Sequence, residues 1–196
     1  MPRVSAHSNP LGYGSPMDDD LFEVASRIST SRISNHACTV LNLSNLNIWK
    51  LPDNLSSVCP NLEILNLSGT NVRHLPSGLS SLKVLNWSSN GFMEWPSGLE
   101  GLPDLETLDL SNNPLSQLSS VGILGLPSLT TLNLSDTQVD MGNKTYIDDF
   151  KKILCHPRLK TFSFSSVVFK YRFPTANVQD LKARYCFDQN NRPLER

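Results

Sequence analysis

The sequence predicts an α/β solenoid. About six parallel strands should line a concave face, short turns or helices a convex one, and a helix should close the N-terminal end. Two observations predict this. A pattern L-x-x-L-x-L-x-x-(N/T)-x-Φ, with Φ a large apolar residue, recurs as CTVLNLSNLNI from Cys38, LEILNLSGTNV from Leu62, LKVLNWSSNGF from Leu82, LETLDLSNNPL from Leu105, LTTLNLSDTQV from Leu129 and LKTFSFSSVVF from Leu159. Successive starts lie 24, 20, 23, 24 and 30 residues apart, a period at which one supersecondary unit stacks on its copies to bury an apolar face that it cannot bury alone. The second observation is local. The L-x-L step has period two, so its leucines point one way and the residue between them the other.

The elements follow in chain order. Residues 1–17 read as a flexible tail, with three prolines, two glycines and three serines in the first 16 positions and no apolar stretch of the signal-peptide kind. Over 18–36 a capping helix is expected: Asp18, Asp19 and Asp20 suit a helix N-terminus, and Leu21, Val24, Ala25 and Ile28 share one face. The repeats occupy 37–169. Their returning halves LPDNL (51–55), LPSGL (75–79) and WPSGL (95–99) share a Φ-P-x-x-L form that predicts turns or single 3₁₀ turns. In the fifth unit Tyr146, Ile147, Phe150, Ile153 and Leu154 fall at helical spacing, which predicts a true helix with Thr145 as its N-cap. Trp87 and Trp95 replace inward leucines and are expected in the core. Residues 170–196 should form a C-terminal cap, with Val178, Leu181 and Tyr185 on a last helix.

Six copies in register resemble the leucine-rich repeat family, over roughly residues 38 to 169. That resemblance implies a horseshoe whose Asn/Thr positions, here Thr70, Asn90, Asn113 and Thr137, form a buried polar ladder, with Leu46 and Val167 as atypical terminal versions. It also implies a recognition role. Secreted relatives usually close their ends with paired-cysteine caps, and four cysteines in 196 residues do not form such a cluster. Cys38, at a first-Leu position, and Cys59, before a proline, are expected to be buried, reduced thiols in an intracellular, cytoplasmic protein. Of the Asn-x-Ser/Thr sequons at Asn42, Asn54, Asn66, Asn86, Asn133 and Asn143, four are the repeat's own LNLS or LNWS text, and since residues 1–17 do not read as a secretory signal, glycosylation is not expected.

Composition narrows the function. No apolar run approaches the ~20 residues that cross a bilayer, so no membrane association is expected. Neither a phosphate-binding glycine loop nor a metal-ligand spacing occurs, and the histidines at 7, 36, 74 and 156 occupy unrelated repeat positions. A non-enzymatic protein without cofactor, metal or small-molecule substrate is expected. Its partners would be one or more proteins, with the chain acting as a subunit of a larger assembly or as an adaptor. The repeat register turns Val40, Ile64, Val84, Thr107, Thr131 and Thr161 outward, then Asn42, Asn66, Asn86, Asp109, Asn133 and Ser163, with Glu63, Lys83, Glu106 and Lys160 supplying charge. These residues either solvate a sheet or form a docking surface. One position past Φ stand Trp49, Arg73, Met93, Ser116 and Asp140, a second candidate ridge, unless Trp49 packs under the N-terminal helix. The charge is polarised: residues 158–196 carry eight Lys/Arg against three acids, +5, whereas the preceding residues carry −6. Lys170, Arg172, Lys182 and Arg184, interleaved with aromatics, are candidates for contact with RNA or another anion.

Overall fold

The computed structural model describes residues 23–28, 38–139, 144–165, 179, 181, 182 and 186. Strands β1 (Val40–Asn42), β2 (Ile64–Asn66), β3 (Val84–Asn86), β4 (Thr107–Asp109), β5 (Thr131–Ser135) and β6 (Thr161–Ser165) pair in parallel, in chain order, as one six-stranded sheet. The register is set by the repeat. Leu41, Leu65, Leu85, Leu108, Leu132 and Phe162 are successive partners, and the five leucines are fully buried. Two residues on, Leu43, Leu67, Trp87, Leu110 and Leu134 form a second buried row. Trp87 fits a leucine's place because its indole N–H donates to the Val72 carbonyl at 2.9 Å and Phe92 meets the ring edge-on at 5.1 Å. In the last unit Phe162 and Phe164 close against Phe150, with centroids 5.6 Å from it in each case.

The turn off each strand repeats as faithfully as the strand. Asn45, Gly69, Ser89, Asn112 and Asp136 occupy one repeat position, and all have left-handed φ, between 55° and 65°. Beneath these turns runs the polar ladder. The Thr70 hydroxyl donates to Asn90 Oδ1 at 2.8 Å, and the Asn90 backbone N–H donates to Asn113 Oδ1 at 2.8 Å. Thr70, Asn90, Asn113 and Thr137 are all buried, and their bonds satisfy backbone groups that the turns would otherwise leave orphaned.

The convex side carries α2 (Leu55–Val58), a 3₁₀ turn at Leu99–Gly101, α3 (Ser120–Leu124) and α4 (Lys144–Leu154). The return at 55–58 thus winds as a short α-helix rather than a 3₁₀ turn. In α4, Phe150, Ile153 and Leu154 are buried as their spacing predicts. The helix begins at Lys144, so Thr145 lies in its first turn and is not the N-cap.

Both ends show how the stack is closed. Residues 23–28 form a helix, α1, whose Val24 and Ile28 belong to the same apolar cluster as Leu41 and Leu43; Leu21 lies outside the described residues. Near the other end Leu181 is buried, and the Lys182 ammonium donates to the carbonyls of His156 and Leu159. Val178, Tyr185 and Val167 lie outside the described residues. Disulfides join Cys38 to Cys59 and Cys155 to Cys186, with Cα atoms 5.4 Å apart in each pair. The expected burial of Cys38 and Cys59 holds, at 1% exposure each, but the expectation of reduced thiols is corrected. Partners 21 and 31 residues apart show no cluster in the sequence; the tertiary fold brings them together.

Candidate protein-binding face

The outward column of the first three strands is apolar and in register. Val40 faces Ile64, and Ile64 faces Val84, across neighbouring strands, a spacing of about 4.8 Å. Val40 and Ile64 are 42% and 39% exposed; Val84 is half-buried. Beyond β3 the column becomes Thr107, Thr131 and Thr161, so the apolar strip stops where threonine begins.

Beside it runs the amide row. The Oδ1 atoms of Asn42, Asn66, Asn86 and Asn133 accept the backbone N–H of Ser44, Ser68, Ser88 and Ser135 at 3.0 to 3.1 Å. Asp109 does the same for Ser111 at 2.9 Å. Each side chain thus stabilises its own strand-to-turn corner, and its acceptor is committed there. What the row can offer a ligand is the Nδ2 donors of the asparagines and the second carboxylate oxygen of Asp109.

The charged column precedes the strands. Lys83 Nζ lies 2.8 Å from Glu63 Oε1, both side chains near 45% exposed. The hydrogen bond that Lys83 donates to Glu63, and then the charge of Glu63, hold the Lys83 ammonium above the usual lysine range, with smaller help from Glu106 and Asp104. Glu106 and Lys160 are exposed.

Past the turns, Trp49 and Met93 are 60% and 68% exposed, and Arg73 and Ser116 are also exposed. Trp49 therefore stands on the surface, not beneath the N-terminal helix. Arg73 and Met93 come together with His74, Phe92, Glu94, Trp95, Pro96 and Ser97 around a cleft of about 380 Å³. Trp49 does not line that cleft, and Asp140 lies outside the described residues. Trp95, expected in the core, is half-buried: it packs against the core and lends its other side to the cleft. His74 was not foreseen there. Its Nδ1 lies 2.6 Å from Ser97 Oγ, and the residues meet because 74 and 97 pair as a parallel bridge between successive returns.

Of the basic C-terminal candidates, only Lys182 is among the described residues. Lys182 is occupied by main-chain carbonyls, and burial lowers the pKa of its ammonium. Lys170, Arg172 and Arg184 lie outside the described residues. Among the described residues no group of His, Cys, Asp and Glu could hold a metal ion, and no helix is long and apolar enough to cross a membrane.

Two family models match the repeats: "Leucine rich repeat" over residues 96–139 and "Leucine Rich Repeat" over 61–82. With the six-stranded parallel sheet, they decide the family. The chain is a leucine-rich repeat protein. Solved structures of the same fold include a chain of the Drosophila melanogaster SNF/U2A′ complex, 24% identical at a TM-score of 0.52, where 74% of this chain covers 87% of that one. Human 5T4 (Wnt-activated inhibitory factor 1, trophoblast glycoprotein) is 27% identical at 0.52, with coverage of 67% and 51%. A Shigella effector LRR domain is 28% identical at 0.50, with coverage of 76% and 57%. The leucine-rich repeat protein described here thus spans about half the length of the latter two. No match is found among curated proteins.

Proposed function

We propose that this leucine-rich repeat protein is a non-enzymatic interaction module, a scaffold subunit or adaptor that grips a segment of a protein partner on its first three repeats. One observation carries the reading. Of the five large apolar residues exposed among the described residues, Val40, Trp49, Ile64 and Met93 belong to those three repeats; only Val121 lies elsewhere. Apolar contact along Val40, Ile64 and Val84 is flanked by the donor row Asn42, Asn66 and Asn86, which complements peptide carbonyls. Glu63, Lys83, Glu106 and Asp109 add orientation more than affinity. Trp49, Arg73 and Met93 are the rim contacts, of types that often dominate binding energy. A rigid sheet loses little conformational entropy on binding. The two cystines support an oxidising compartment, so the cytoplasmic expectation, which rested on the lack of a signal-peptide stretch and of paired-cysteine caps, is not carried forward.

The test is capture of partners by the tagged full chain from the cells that make it. Ile64→Lys and Trp49→Ala should each abolish or weaken capture at least about 30-fold, the equivalent of 2 kcal/mol at a hot spot, with melting unchanged. The comparison variants are Arg172→Glu and Arg184→Glu. If these alone abolish capture, and the loss tracks the steep salt dependence of phosphate contacts, the basic C-terminal segment and a nucleic acid take the place of this proposal.

A further inference from the structure

The binding face leaves one sequence feature unused: the sequon Asn54-Leu55-Ser56 on the convex side. Four other sequons are accounted for by the strands. Asn42, Asn66, Asn86 and Asn133 each hold a corner N–H, and the first three stand side by side in register. The sixth, at Asn143, lies outside the described residues. Asn54 has no such task. In the Φ-P-x-x-L returns its counterparts are Gly78 and Gly98, which adopt left-handed φ of 84° and 93°. Asn is the usual non-glycine substitute at such positions, yet Asn54 has φ −92° and ψ 15°. The turn therefore does not explain it. Nor does helix capping: Asn54 precedes α2, but its side chain makes no capping hydrogen bond. It is exposed, on the side away from the strands.

We propose that Asn54 carries an N-linked glycan on the convex face. The two cystines support maturation in an oxidising compartment, where Asn-x-Ser/Thr acceptors are modified. In the transfer, Asn54 Nδ2 attacks the anomeric carbon of a lipid-diphosphate-linked oligosaccharide. A C–N bond forms, the sugar–phosphate C–O bond breaks, the lipid diphosphate leaves with the electron pair, and a base of the transferase takes the amide proton. Transfer acts on the extended chain before folding, so the burial of Leu55 does not obstruct it. Folding then seats Leu55 in the core and leaves the sugar outside. Sugars on adjacent strand asparagines would instead be held at strand spacing over the docking surface.

Mass spectrometry of the full chain from the cells that make it tests this. Glycosidase treatment that converts a glycosylated Asn to Asp should convert Asn54. The tryptic peptide 51–73 contains both Asn54 and Asn66, and fragmentation should place the conversion at 54 with 66 still an amide. Asn54→Gln and Ser56→Ala should each abolish the electrophoretic shift that the glycosidase produces, while capture of the partner is unchanged. An unmodified Asn54 in the native chain overturns the proposal, as does a glycan at Asn66 in its place. Partner capture is a separate readout, so loss of this proposal leaves the concave-face reading standing.

Discussion

Asn113 reaches back one repeat to hold Asn90: its Oδ1 accepts the Asn90 backbone N–H at 2.8 Å and that of Phe92 at 3.1 Å. Its Nδ2 donates to the carbonyls of Trp87 and Leu110 at 3.1 and 3.0 Å. One carboxamide thus finishes the turns of two units. Asn113→Ala would orphan two buried N–H groups, each costing about 1–3 kcal/mol when unsatisfied. A loss above about 2 kcal/mol in urea unfolding is expected. A loss below about 0.5 kcal/mol would show that water replaces the side chain freely.

The left-handed position gives a signed pair. Ser89 holds φ 57°, a region that costs a residue with a Cβ about 1–2 kcal/mol. Ser89→Gly should therefore raise stability, by about 0.5–1 kcal/mol once the greater freedom of glycine in the unfolded chain is deducted. Gly69→Ala should do the reverse, since at φ 65° its Cβ would also stand 2.6 Å from Asn45 Oδ1. Thermal melts that move both variants the same way would contradict the argument.

Gly122 sits inside α3 against the indole of Trp95, and a Cβ there would collide with Nε1. Helix propensity alone favours alanine by about 0.5–1 kcal/mol. We expect the collision to win: Gly122→Ala should destabilise the protein and push Trp95 towards the cleft. A red-shifted tryptophan emission in Gly122→Ala, lost in the double variant with Trp95→Phe, is the expected readout.

Lys83 should titrate above the usual lysine range, and Glu63→Gln should bring it down towards an unpaired lysine. A folded-state pKa above the unfolded one favours the fold while Lys83 is protonated in both states. That contribution fades as alkaline pH rises through the folded value. The pair is well exposed, so the effect belongs in Nζ chemical shifts, not in a melting curve. Identical titrations in both proteins would mean that the 2.8 Å contact does not persist in solution.

The strand face was legible because its rule is local. With L-x-L at period two, knowing that Leu41, Leu65 and Leu85 go in is enough to place Val40, Ile64 and Val84 outside and in register. The ladder residues Thr70, Asn90 and Asn113 were legible for the same reason. The left-handed position is less plain, because Ser89 interrupts it, yet Asn, Gly, Asn and Asp at the other four of five equivalent sites are the residues that tolerate φ above zero.

By itself the sequence determined the repeat, the inward and outward columns and the helix in the fifth unit, since all of these follow from periodicities that a residue shares with its neighbours. Tertiary structure alone decided which cysteines pair, that Trp49 stands exposed, that Lys182 is spent on two carbonyls, and that His74 and Ser97 meet beside Trp95. The physical reason is reach. A strand sets the direction of its own side chains, but contacts spanning 21 to 31 residues depend on how far each convex return carries the chain before the next strand begins.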